Sequence, residues 1–267
     1  MSQIEAKQKN NLHLFANWKM FALGMRPEQY FEEFEQHLTL SDSFAENRET
    51  PIGFAVPFTQ IAPITQHLSH SSLASMVSVG AQNMHSALGG AYTGEIAYPL
   101  LKEAGAQWVL LGHSERRTVL QETDAEIAAK MTCCEQNDFP SLLCVGERLE
   151  DRETGKSEEV VLEQLRSALE TVQAKHRVWI AYEPVWAIGS GKSAGAAEVT
   201  QMHSFIYDSL LEMGFEAPGI RILYGGSVNV TNCGELAGID RVDGFLVGKA
   251  SLTPKTFAEM ANILFNQ

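Results

Sequence analysis

The chain has 267 residues, of which 33 are acidic and 20 basic, for a formal charge of −13, with 45% hydrophobic and 20% charged residues. That much apolar material supports a large core and excludes a disordered or low-complexity chain. The negative balance opposes a phosphodiester backbone, so nucleic acid is not an expected partner. A small anion is still admissible, because backbone N–H groups at helix starts and one well-placed lysine can outweigh a diffuse surface charge locally.

Cys133, Cys134, Cys144 and Cys233 form no C-x-x-C pair, and the adjacent two are poorly placed to bridge each other or to chelate zinc. Neither a disulfide framework nor a metal site is expected. Residues 1–11 are polar, and no apolar run approaches the roughly 20 residues of a membrane helix, so the reading is a soluble, cytoplasmic protein with a polar N-terminal extension and no membrane partner. Asn229-Val230-Thr231 matches a glycosylation acceptor, which without a secretion signal is incidental.

In chain order, short β-rich apolar runs occur at 13–17, 52–56, 77–81, 108–111, 142–145, 178–182, 221–224 and 244–247. Segments of helical periodicity lie between them at 27–38, 124–137, 158–172, 197–213 and 254–264. The alternation predicts an α/β fold with a parallel sheet, and eight strands in a chain of this length match a closed (β/α)8 barrel, with a doubly wound open sheet as the alternative. Residues 41–51 read as a surface loop. Nothing rich in Pro, Gly or Ser divides the chain, so 1–267 reads as a single domain.

In such a barrel the site lies at the C-terminal strand ends. Those ends are polar in this sequence: Asn17 and Lys19, then His113, Ser114 and Glu115, then Glu147, Glu183, the Gly225-Gly226-Ser227 turn, and finally Gly248 and Lys249. Each taken singly also fits a cap or loop residue. Glu183 ends an apolar run, and Pro184 holds it extended, so its carboxylate could act as a general base or simply pair with a lysine. The segment 184–194 has an apolar tip and small residues at its end, the composition of a lid.

Two motif likenesses in that segment fail. Gly191-Lys192-Ser193 resembles the end of a phosphate-binding P-loop, but Trp186 stands where the first glycine should be. The G-x-G-x-x-A run from Gly189 lies several residues past its strand, with no acidic residue placed for a ribose. His113 precedes a short predicted helix starting at Ser114; the positive potential there favours a neutral imidazole able to donate to a developing oxyanion. The glycines after the last two strands suit a phosphate site.

Asn17-Trp18-Lys19-Met20, Gly112-His113-Ser114-Glu115-Arg116-Arg117, the stretch from Ala181 to Gly189, and Tyr224-Gly225-Gly226-Ser227-Val228 together resemble the triosephosphate isomerase family, in order and over essentially the whole chain. The resemblance implies that Glu183 moves a proton between C1 and C2 of dihydroxyacetone phosphate through an enediolate, giving glyceraldehyde 3-phosphate in glycolysis and gluconeogenesis. It implies that neutral His113 polarises the carbonyl, that Lys19 and Asn17 stabilise negative charge, and that Glu115 supports them. It also implies that backbone N–H groups of Gly189, Ser227, Gly248 and Lys249 hold the phosphate. The lid from Pro184 through Trp186 to Ala194 would close against Tyr224 and Ser227. No cofactor or metal is implied. The family is dimeric, so a homodimer follows by analogy, with Thr93 buttressing the partner's Asn17 and Lys19.

Three positions depart from the family pattern: Lys249 where a glycine is frequent, Phe21 where an asparagine is frequent, and Ser190 for threonine. A backbone N–H survives the change to Lys249, so phosphate binding is expected to persist. An isomerase of a longer ketose phosphate and an inert phosphate-binding barrel are the alternatives. The second would have lost Glu183, His113 or Lys19, and all three are present.

Overall fold

A computed structural model describes residues 12–40, 51–188 and 194–266. Eight parallel strands follow one another around a closed barrel: β1 (His13–Asn17), β2 (Ile52–Val56), β3 (Val77–Ala81), β4 (Trp108–Leu111), β5 (Ser141–Val145), β6 (Val178–Tyr182), β7 (Ile220–Tyr224) and β8 (Gly244–Val247). Pairing of β1 with β8, in the register Leu14↔Phe245 and Phe15↔Leu246, closes the ring and removes the open-sheet alternative. The expected strands stand, except that β5 and β7 each begin one residue earlier.

Both faces of the sheet are buried, which is why its strands read as unbroken apolar runs. Inward-facing Phe15, Ala55, Trp108, Leu110, Leu142, Cys144, Ala181, Leu223 and Leu246 form one apolar cluster inside the barrel. The alternate residues face outward and join a larger core under the helices, in which Trp18, Tyr30, Phe31, Phe34, Phe54 and Phe257 are fully buried. This period of two is the strand geometry itself.

The helices are α1 (Pro27–His37), α2 (Phe58–Leu68), α3 (Tyr98–Glu103), α4 (Ser114–Thr118), α5 (Asp124–Gln136), α6 (Leu149–Glu153), α7 (Ser157–Leu169), α8 (Ala196–Glu212), α9 (Cys233–Leu236) and α10 (Pro254–Phe265). Proline at the first turn starts α1 and α10, where a missing N–H costs nothing. Thr123 caps α5: its Oγ1 accepts from the Glu126 N–H at 3.3 Å, while the Thr123 N–H donates to the Glu126 carboxylate at 2.7 Å. The segment expected at 158–172 stops at Leu169, three residues short. Among the described residues no helix is long and apolar enough to cross a membrane.

Candidate active site

The C-terminal ends of the strands converge on a group of polar side chains, most of them buried. Asn17, the last residue of β1, is buried, and its Oδ1 accepts from the backbone N–H of Lys19 at 2.9 Å. That bond folds the chain back so tightly that Lys19 takes a positive φ of 49°, a conformation a non-glycine residue holds only when its surroundings impose it. Gln82, directly after β3, supplies part of that constraint. Its Nε2 lies 2.8 Å from the Lys19 carbonyl, 3.2 Å from Asn17 Oδ1 and 3.2 Å from the Ala55 carbonyl. The Lys19 ammonium donates to Glu115 Oε1 at 2.5 Å. With both groups partly exposed, this ion pair adds little stability, and its effect is to hold the ammonium over the barrel mouth.

His113 is the N-cap of α4, and its own imidazole does the capping: Nδ1 accepts from the Glu115 N–H at 3.2 Å. A nitrogen that accepts cannot carry the proton of the neutral ring, so that proton sits on Nε2. Nε2 faces Glu183 Oε1 at 3.0 Å, and the other carboxylate oxygen accepts from the Ser114 N–H at 2.8 Å. Arg117 steadies this corner by bonding the Gly112 carbonyl at 2.8 Å and Asp124 at 2.5 Å.

Glu183 is almost fully buried, on a backbone held by its N–H to the Val145 carbonyl at 2.8 Å. Two glycines make room for it. A Cβ at Gly146 would fall 1.7 Å from the Glu183 carbonyl oxygen, and one at Gly225 would fall 3.0 Å from its Cγ. Burial raises the Glu183 pKa, yet His113 by charge and hydrogen bond, aided by the Ser114 N–H, brings it below the ordinary carboxylate value. Burial likewise lowers the His113 pKa, but the Glu183 carboxylate lifts it above the ordinary histidine value. The sequence points to influences favouring the neutral imidazole; the structure adds the Glu183 carboxylate, which acts in the other direction. The carboxylate that opposes burial lies 3.0 Å from Nε2.

At the far side of the mouth, Ser227 and Lys249 are exposed and Gly248 is half-buried. A Cβ at Gly248 would lie 3.3 Å from Lys19 Cε, so the turn after β8 and the lysine share one space. Tyr224 is buried, and its surroundings push the phenol up to about 12, opposed by the adjacent Ala194 backbone. Pro184 is buried behind Glu183. Trp186 donates its indole N–H to Glu147 Oε1 at 2.7 Å, and the Arg152 guanidinium lies 4.4 Å above its ring. Glu147 is fully buried and also accepts from Tyr182 at 3.1 Å; burial raises its pKa. Gly189 and Ser190 lie outside the described residues.

Thr93 is exposed in the loop after β3, and the single chain does not bring it to Asn17 or Lys19. Phe21 is half-exposed, and nothing in the structure explains the departure at that position. Arg117 and Arg152 have no site role legible in the sequence, Gln82 is legible only as the start of the long loop after β3, and Glu147 only as a strand-end residue. Each acts through a residue on another strand or helix, so only the positions of Gln82 and Glu147 give a signal. Among the described residues no three His, Cys, Asp or Glu side chains group as a metal site.

A family model described as triosephosphate isomerase matches residues 12–264. The triosephosphate isomerase of Moorella thermoacetica is 42% identical over 250 residues, covering 92% of this chain and 96% of its own. That of a Synechococcus strain is 40% identical over 246 residues, with 92% of each chain covered. The crystal structure of triosephosphate isomerase from Bartonella henselae matches with a TM-score of 0.81 at 35% identity, covering 95% of this chain and 98% of its own. With a family model spanning the barrel and relatives of this identity and coverage, the chain belongs to the triosephosphate isomerase family.

Proposed function

We propose that the chain interconverts dihydroxyacetone phosphate and glyceraldehyde 3-phosphate, a step of glycolysis and gluconeogenesis, with Glu183 as the base and His113 as the electrophile. The observation that carries the reading is the buried carboxylate 3.0 Å from an imidazole Nε2, with the Lys19 ammonium held at the same mouth. Base and electrophile are within hydrogen-bond distance of each other, so a substrate engaging both must come between them. The carboxylate then turns to a carbon-bound proton and Nε2–H turns to the neighbouring oxygen. Once Glu183 leaves Nε2, the influence that raised the His113 pKa goes with it, and burial together with the Glu115 N–H on Nδ1 favours the neutral ring. Lys19 and Asn17 stabilise the enediolate charge, and Glu115 holds Lys19 in place.

The phosphate is held by backbone N–H groups of Gly189, Ser227, Gly248 and Lys249. Segment 184–194 closes over it, with Trp186 anchored on Glu147 at one end and Ala194 beside Tyr224 at the other, excluding water from the intermediate. The barrel acts as one domain, since β1 and β8 must meet to close it. The chain works as a homodimer in which Thr93 supports the partner subunit's site. Exposed Met20, Phe21, Leu88 and Tyr92, flanking the loop after β3 and the end of β1, support that assembly. Four free, buried cysteines suit a reducing, cytoplasmic compartment.

The test is steady-state turnover of dihydroxyacetone phosphate beside erythrulose 4-phosphate. Fast triose turnover with little on the tetrulose is the expected result; a preference for the tetrulose would assign a longer substrate.

A further inference from the structure

The opposite end of the barrel holds a cavity of about 410 Å³, whose lining includes Phe15, Trp108, Met131, His176, Arg177 and Trp179. Its origin lies in how the barrel interior is filled. A Cβ at Gly53 would lie 2.9 Å from the Phe15 ring, and one at Gly80 would clash with Trp108 at 2.3 Å, so these two rings lie over the glycines of β2 and β3. Space is left on the side of β4, β5 and β6. Phe15 packs at a tilt against Trp108 and stacks on Trp179, at centroid distances of 4.8 and 5.5 Å, making an aromatic wall. The volume falls within the range of small-molecule sites, about 300–1,000 Å³.

The polar groups of this cavity are of both signs. The Arg177 guanidinium lies 5.5 Å above the Trp179 ring and forms no ion pair among the described residues. His176 stands beside it. Of the two carboxylates in the lining, Glu135 is already engaged: Oε1 accepts the N–H groups of Gln173 and Ala174 at 2.5 and 2.7 Å. Asp138 is the carboxylate that Arg177 and His176 have to outweigh. An aromatic wall beside an unpaired guanidinium suits a flat ring system that carries a negative charge.

We propose that this cavity binds a planar aromatic anion, with its rings against Trp179 and Phe15 and its charge beside Arg177. The site lies about one strand length, roughly 15 Å, from Glu183 and is independent of the isomerase reading.

The probe is anilinonaphthalenesulfonate, titrated by fluorescence against the full chain, with neutral N-phenylnaphthylamine as its uncharged counterpart. Saturable binding of one dye per chain is expected, unaffected by inorganic phosphate. Arg177→Ala and Trp179→Val should each weaken it about five- to tenfold. Neutral dye should bind at least about fivefold more weakly, the loss expected for one charged contact. Thermal melts and triose turnover of both variants establish that the barrel is intact, and Arg177→Ala, which removes a side chain from the rim, decides the matter if Trp179→Val does not fold. Equal dye affinity in Arg177→Ala, equal affinity for the neutral dye, or displacement by inorganic phosphate would each overturn the proposal.

Discussion

The two ends of this barrel are built from the same eight strands and filled in opposite ways. At the C-terminal end the strands run out into Asn17, His113 and Glu183, buried polar groups whose hydrogen bonds are set by neighbouring backbone and side chains. At the N-terminal end the inward positions carry Phe15 and Trp108, rings packed over Gly53 and Gly80, with Trp179 stacked on Phe15. Buried charge is costly unless compensated, so it is confined to the end where chemistry uses it, while the other end supplies apolar contact. Substitutions at the two ends should therefore separate: stability from the ring end, turnover from the polar end.

The sharpest contrast comes from Trp108→Ala. Its ring is buried against Phe15, and its indole N–H donates to Ser78 Oγ at 3.1 Å. Loss of about 3–5 kcal/mol is expected in denaturant unfolding, with turnover near normal while the fold persists. Turnover lost without a stability change would break the comparison. Lys19→Met should do the reverse, lowering kcat/KM by about 10²–10³, the effect of removing one preorganised donor, with a melting temperature close to that of the parent.

Trp186→Phe lies between these cases, because it removes a donor from Glu147, whose Oε2 already lacks a partner among the described residues. A stability loss of about 1–3 kcal/mol is expected, together with a raised KM. The sign of its pH dependence follows from burial. The folded Glu147 pKa is above the unfolded value, so its proton favours the fold at low pH. That contribution is lost as pH rises from the unfolded value through the folded one. The variant raises the folded pKa further, and its penalty should be larger at pH 7 than near pH 4.5. A penalty independent of pH would show that the indole N–H does not act on the carboxylate. Thr123→Ala, far from the chemistry, should cost about 1 kcal/mol through the α5 cap and leave kinetics untouched.

How much of this was legible in the sequence differs between fold and site. Strands such as Trp108–Leu111 are apolar throughout because both faces are covered, and that signal is local. Helix α2 was not legible, because Pro63 interrupts its interior and masks its periodicity; α6 has no buried residue and so no apolar face to detect. At the site, strand-end position picked out Asn17, Lys19, His113 and Glu183. Their mutual arrangement was not legible. The pairing of Glu183 with His113 spans β4 and β6, and the hold of Gln82 on Lys19 spans β1 and β3. Such contacts are set by barrel closure, which no local pattern encodes.

Glu183→Gln tests the central claim most directly, measured as kcat for dihydroxyacetone phosphate beside the inhibition constant of inorganic phosphate. Glutamine keeps the shape and the acceptor for the Ser114 N–H but cannot take a proton. A fall in kcat of at least about 10²–10⁴-fold is expected, with phosphate binding within about twofold. Unchanged turnover would remove Glu183 from the mechanism, and with it the claim that the polar end of the barrel is organised around a buried base.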